Sequence, residues 1–122
     1  MDKFRFLEWQ VYKDSRDLFK KLLEIVHSLP KEYRYDIGSQ ILRAGLSISL
    51  NIAEGCGKTS DKELNRFFEI SPSSAFEVLS AIDVLRDNNF VTNEDFDDIK
   101  NRIATITNQL GGFKKKLNNK TL

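Results

Sequence analysis

The chain has 122 residues, 30% charged and 40% hydrophobic, and a net charge of +1. That length fits one domain spanning 1–122, while 2 prolines and 6 glycines are too few for a turn-punctuated all-β fold. No apolar run approaches the ~20 residues of a membrane span, Cys56 has no second cysteine to pair with, and residues 1–5 lead into a charged helix without a signal-peptide core, so a cytoplasmic location is expected.

The first helix is predicted from about Leu7 to Ser28. Leu7, Val11, Leu18, Leu22, Ile25 and Leu29 recur at helical spacing, and Tyr12, Phe19, Leu23 and Val26 widen the stripe. Pro30 ends it, because the residue before a proline is disfavoured in helix. Lys31 to Tyr35 form a short connection.

The second helix, Ile37 to Gly55, has no ordinary wet face. At about 100° per residue, Ile37, Ile41, Ala44, Ile48 and Ile52 make one apolar stripe. Leu42, Leu46, Leu50 and Ala53 make another on roughly the opposite side. Small residues, Gly38, Gly45, Ser49 and Cys56, fill one seam between them. Gln40, Arg43, Ser47, Asn51 and Glu54 fill the other, stepping 3, 4, 4, 3 along one side. A surface helix of a monomer needs one apolar stripe. Two stripes imply two partners, the chain's own core and another subunit, with Leu42, Leu46 and Leu50 at the subunit interface.

Gly55-Cys56-Gly57 stops this helix, in the usual role of glycine past a helix end. Ser60-Asp61-Lys62-Glu63 reads as a capping box opening the third helix. Its core stripe is Leu64, Phe67, Phe68, Ser71, Ala75, Val78, Ile82 and Leu85, which continues in phase across Pro72 and predicts one bent helix. Asp87-Asn88-Asn89 turns the chain. Thr92-Asn93-Glu94-Asp95 opens the fourth helix, whose stripe Phe96, Ile99, Ile103, Ile106, Leu110, Phe113, Leu117 is a heptad seam. Gly111-Gly112 weakens it late, and the lysine-rich end, about 114–122, is expected to fray. Short connections between amphipathic helices favour antiparallel neighbours, so the expected fold is all-α, an up-down-up-down four-helix bundle.

Chemistry is sparse. Gly55-Cys56-Gly57-Lys58-Thr59 looks like the end of a phosphate-binding loop, but the motif requires a glycine where Ile52 stands, and a preceding strand. His27 is the sole histidine, and the bundle places it and Cys56 at opposite ends. It reads as a helix C-terminal residue favoured by the dipole, and Cys56 as a small packing residue. Glu24-Ile25-Val26-His27 is one copy of a di-iron motif that needs two. Glu94, Asp95, Asp97 and Asp98 read as a solvated helix start. The chain is therefore expected to be no enzyme and to hold no metal, cofactor or small-molecule substrate.

Two features can bind. The polar seam either fixes helix register or subunit docking, or forms a groove for a ligand or RNA. Residues 60–92 carry three bases against six acids, whereas the stretch from Gly111 carries Lys114, Lys115, Lys116 and Lys120 and no acid. The lysines suit a helix C-terminus, or contact phosphate, and a symmetric assembly would multiply them into a basic surface. A partner protein contacting the seam and the acidic third helix is the alternative to RNA.

The segment Gln40 to Gly55 resembles the signature of a bacterial four-helix-bundle family that includes proteins encoded in intervening sequences of 23S ribosomal RNA genes. That pattern reads roughly Q-x-x-R-A-x-x-S-I-x-x-N-I-A-E-G. Gln40, Arg43, Ala44, Ser47, Ile48, Asn51, Ile52, Ala53, Glu54 and Gly55 match it. Trp9-Gln10, Leu29-Pro30 and Ser60, Lys62-Glu63, Phe67 agree at the flanks. Ser71-Pro72-Ser73-Ser74 departs from the family's Ala-x-Gly-Ser stretch, keeping Ser74 and the following Glu77, and Gly111-Gly112 is unusual. The resemblance implies a small cytoplasmic bundle without enzymatic activity. Its relatives form pentameric rings, and one related group binds nucleic acid as an accessory of diversity-generating retroelements. A homo-oligomer, pentameric for preference, acting on RNA or a ribonucleoprotein is what it leads one to expect.

Overall fold

Trp9 splits what the periodicity reads as one opening helix. In the computed structural model, which describes residues 3–57 and 60–120 and the side chains of all these except 61 and 113–120, Arg5–Glu8 form a 3-10 turn. Trp9 is extended, at φ −70° and ψ 133°, and its N–H donates to the Phe6 carbonyl. Helix α1 then runs Gln10–Ser28. The break leaves Leu7 exposed rather than on the core stripe, and Leu23 also stands out in solvent.

Leu29 is extended ahead of Pro30, as sterics require. The connection that follows is itself a helical turn, α2 (Lys31–Arg34), with the Pro30 carbonyl accepting from the Tyr33 and Arg34 N–H groups. Helix α3 spans Asp36–Cys56. Gly57 ends it without a left-handed turn, at φ −84°, and donates its N–H to the Glu54 carbonyl. Gly55 lies inside α3 and is needed for closeness, since a Cβ there would come within 3.1 Å of Leu64 and 3.2 Å of Phe67 on the next helix.

Helix α4 spans Asp61–Asp87 and contains Pro72 without interruption. Ser60 caps it by accepting the Glu63 N–H, at 3.2 Å. The buried set Phe68, Ser71, Ala75, Val78, Ile82 and Leu85 stays in phase through the proline. Asn89, at φ 66°, turns the chain after α4. Helix α5 spans Asn93–Lys120, with the Thr92 hydroxyl accepting from Asp95 N–H.

Among the described residues all regular structure is helical, in five α-helices of which four are long. Each long helix packs against the next in chain order, and α5 returns to α1. The pairings cross over: Ser15 and Val26 of α1 meet Ser49 and Gly38 of α3, and Ser47 and Gly55 of α3 meet Ser74 and Leu64 of α4. Likewise Asp14 and Lys21 of α1 meet Gln109 and Asp95 of α5. One apolar cluster runs between them, drawn from the predicted stripes: Leu18 and Leu22, Ile41, Ile48 and Ile52, Val78 and Ile82, Ile99, Ile103 and Ile106. Phe113 and Leu117, predicted to extend the last stripe, lie outside the described side chains.

Candidate assembly and binding surfaces

Every side of α3 carries a distinct surface. Its small-residue seam faces α1. A Cβ on Gly38 would sit 2.6 Å from Val26 Cγ1, and one on Gly45 would sit 2.6 Å from Leu22 Cδ1. Ser49, on the same seam, shares a hydrogen bond with Ser15 of α1 at 2.8 Å, and both are buried. Cys56 is buried as a packing residue.

The polar seam faces the α4 side and is divided. Ser47 and Asn51 are half-buried. The Ser47 hydroxyl lies 3.0 Å from that of Ser74 in α4, and Asn51 Nδ2 donates to the Ser47 carbonyl at 2.8 Å and hydroxyl at 3.0 Å. Gln40, Arg43 and Glu54 are exposed, and their side chains make no hydrogen bond or ion pair among the described residues. The five residues share a side but not a network: Ser47 reaches Ser74 of α4 and Asn51 reaches Ser47, while the other three side chains stand in solvent. One buried serine, Ser15, was missed by periodicity. Ser15 sits four residues after Val11 and three before Leu18, so its place in the stripe was the available signal. Ser71, placed on the core stripe, turns its hydroxyl to the Phe67 and Ile48 carbonyls.

The second apolar stripe of α3 remains largely uncovered within one chain. Leu42 and Ala53 are half-buried, while Leu46 is 45% and Leu50 53% exposed. Phe19 of α1 lies beside Gly45 on that flank.

The acidic start of α5 is not simply solvated. Lys21 of α1 pairs with Asp95 at 2.9 Å, and Arg102 with Asp98 at 3.2 Å. The hydrogen bond to Asp95 holds the Lys21 ammonium above the usual lysine range, against the opposing effect of desolvation. Only Glu94 and Asp97 of the four acids stay exposed without an ion pair among the described residues. His27 is exposed at the end of α1. The side chains of Lys114, Lys115 and Lys116, and residues Lys58 and Thr59, lie outside the described residues. No cluster of His, Cys, Asp and Glu among the described residues could hold a metal ion, and no described helix is long and apolar enough to cross a membrane. One open, charged groove of about 260 Å³ is lined by Asp17, Lys20, Lys21, Glu24 and Arg102.

A crystal structure of a protein of unknown function, from the S23 ribosomal protein family of Bacteroides thetaiotaomicron, has a similar fold. It is 24% identical, superposes with a TM-score of 0.79, and the match covers 86% of this chain and 98% of that one. No curated protein matches the chain. The family model described as 23S rRNA-intervening sequence protein matches residues 8–112, through all of α1 to α4 and most of α5. With that match over most of its length, the chain belongs to the family of 23S rRNA-intervening sequence proteins.

Proposed function

We propose that this protein is a non-enzymatic, homo-oligomeric binding or scaffold protein for RNA or a ribonucleoprotein, built as a single up-down-up-down four-helix bundle and working in the cytoplasm. The crossed pairings of α1 with α3, α3 with α4 and α1 with α5 support the antiparallel arrangement. The observation that carries the assembly is the exposed leucine stripe: Leu46 and Leu50 stand in solvent on a helix whose other apolar stripe already fills the core. A soluble monomer gains nothing from a row of exposed leucines, whereas a subunit interface buries them. A pentameric ring is the assembly we favour. It would gather the lysines at 114–116 from every copy onto one surface, supplying the positive charge that a single chain of net charge +1 lacks. The family's name, a protein of 23S rRNA intervening sequences, favours RNA as the partner.

Light scattering at micromolar concentration tests the assembly, with a mass near that of five chains expected and a monomer overturning it. Binding to structured RNA is then measured across a salt series. Affinity should fall steeply as salt rises, because phosphate neutralisation releases counterions. Absence of binding at low salt overturns the RNA role.

A second reading, a protein-binding adaptor, is favoured by the outer side of α4, where Glu69, Glu77, Asp83 and Asp87 face a lone base, Arg86, within 69–87. Partners that survive nuclease treatment in a pull-down would support it, and their complete loss would exclude it.

A further inference from the structure

We infer that RNA binds as an unpaired strand, on the surface where the first turns of the chain meet the last turns of α5. This rests on the RNA reading above and adds the place of contact and the form of RNA recognised. Residues 3–16 and 109–120 together hold eight bases against two acids, whereas the rest of the chain holds eleven against sixteen. Charge is therefore polarised towards these two segments, although the net charge is only +1. The segments adjoin. Gln109 Nε2 donates to the Asp14 carboxylate at 2.7 Å, and α5 stays helical from there to Lys120, through Lys114, Lys115 and Lys116. Both acids are occupied: Glu8 pairs with Lys13 at 3.5 Å, and Asp14 accepts from Gln10 as well as from Gln109. Lys3 and Arg16 are exposed and have no carboxylate partner among the described residues.

Aromatic side chains are interleaved with these bases. Phe4, Phe6, Trp9 and Tyr12 place four of the chain's thirteen aromatic residues within nine positions. Trp9 and Tyr12 are half-buried and packed against the core, which fixes their rings. Each ring holds a guanidinium, Arg5 at 5.8 Å from Trp9 and Arg16 at 5.9 Å from Tyr12. Phe4 is 61% exposed, and its carbonyl accepts the Leu7 N–H at 3.1 Å, which ties it to the 3-10 turn. Planar cations on fixed rings, beside an exposed phenyl ring, suit an unpaired strand. Splayed bases stack on rings and guanidinium planes while their phosphates meet the cations. Bases inside a duplex are stacked on one another and offer no such face. The other surfaces suit phosphate less. The polar seam of α3 sets Arg43 against Glu54, and residues 69–87 of α4 carry four acids against Arg86 alone.

Fluorescence anisotropy on the full chain tests it, with labelled poly(U) as the unpaired strand and a duplex RNA of equal length beside it, each across a salt series. Poly(U) should bind more tightly than the duplex. Arg16→Gln should weaken poly(U) binding and lower the slope of log affinity against log salt by about 0.7, the share of one phosphate contact on a single strand. Phe4→Ala should raise Kd roughly 5- to 150-fold, the loss of one stacked base, with the slope unchanged. Arg43→Gln, on the polar seam, should leave affinity and slope as they are. Circular dichroism checks each fold, and Phe4→Leu removes the ring alone should Phe4→Ala not fold. Wild-type binding by both Arg16→Gln and Phe4→Ala, or a preference for the duplex, overturns this assignment and leaves the RNA reading standing. Weakened binding in Arg43→Gln alone overturns it in favour of the seam. A wild-type protein that binds neither RNA at low salt overturns the RNA reading and this one together.

Discussion

The hydroxyls of Ser15 and Ser49 meet at 2.8 Å inside the joint between α1 and α3, and the proton order can be assigned. Ser15 also lies 2.6 Å from the Tyr12 carbonyl, which can only accept. The Ser15 proton therefore goes to Tyr12, and Ser49 donates to the Ser15 oxygen. Ser15→Ala removes the acceptor from a buried hydroxyl and should cost about 1–3 kcal/mol, whereas Ser49→Ala leaves the Ser15 proton satisfied and should cost less. Denaturant melts of the two variants and the double variant check this: the double should lose less than the sum of the singles.

Glycines in two settings should respond with opposite signs to the same change. At Gly45 a methyl would press on Leu22 Cδ1, a side chain with no solvent to move into. Gly45→Ala is expected to destabilise by about 1–3 kcal/mol, the usual cost of overpacking, despite alanine's better helix propensity. At Gly111 nothing lies within 4 Å of an added Cβ. Gly111→Ala should stabilise by about 0.5–1 kcal/mol through propensity alone. Thermal melts of both variants read the two signs directly.

Ile103 lies at the centre of the α5 stripe and is almost fully buried. Ile103→Ala should cost about 2–5 kcal/mol, the range for large-to-small changes in a core. Equilibrium urea unfolding should show a lowered midpoint at unchanged slope.

Lys21 is held above the ordinary lysine range by Asp95, so its contribution to folding has a defined pH window. A raised folded-state value means the stabilisation is complete below the unfolded-state lysine value and is lost as pH climbs through the folded one. Because the pair is partly exposed, its worth is about 0.5–1 kcal/mol. Lys21→Met should lose that amount at neutral pH and show a flatter decline in stability above pH ~10, measured by melts across an alkaline series.

The sequence carried the core almost residue for residue where burial follows a simple period. Ile41, Ile48 and Ile52 and the run Ile99, Ile103, Ile106 are all buried as their spacing demands. It failed where a local backbone choice intervened. Trp9 adopts an extended conformation, which moved Leu7 off the stripe that its spacing suggested. The polar seam shows a subtler limit. Periodicity assigns each residue an angle around α3 but not the edge at which the neighbouring helix stops covering it. Arg43 and Glu54 fall outside it, and Gln40 is exposed although its angle lies between those of the half-buried Ser47 and Asn51, so position along the helix counts as well as angle. Buried serines were hardest to see, because Ser15 looks like a polar interruption until its partner on α3 is known. Asp95 was misread for the same reason: its partner, Lys21, is more than seventy positions away in the chain.

The joint between α1 and α5 is the thinnest of the contacts that close the circuit of long helices. It is bridged near its two ends by polar pairs, Asp14 with Gln109 and Lys21 with Asp95. The remaining joints connect consecutive long helices, so they can form with little loop to close, whereas this one must bring together distant parts of the chain. It is accordingly the place where the molecule should breathe first. Amide protons along the facing sides of α1 and α5 should exchange through partial opening, while those of Ile48 and Ile52, deep in the α3 joint with α4, wait for global unfolding.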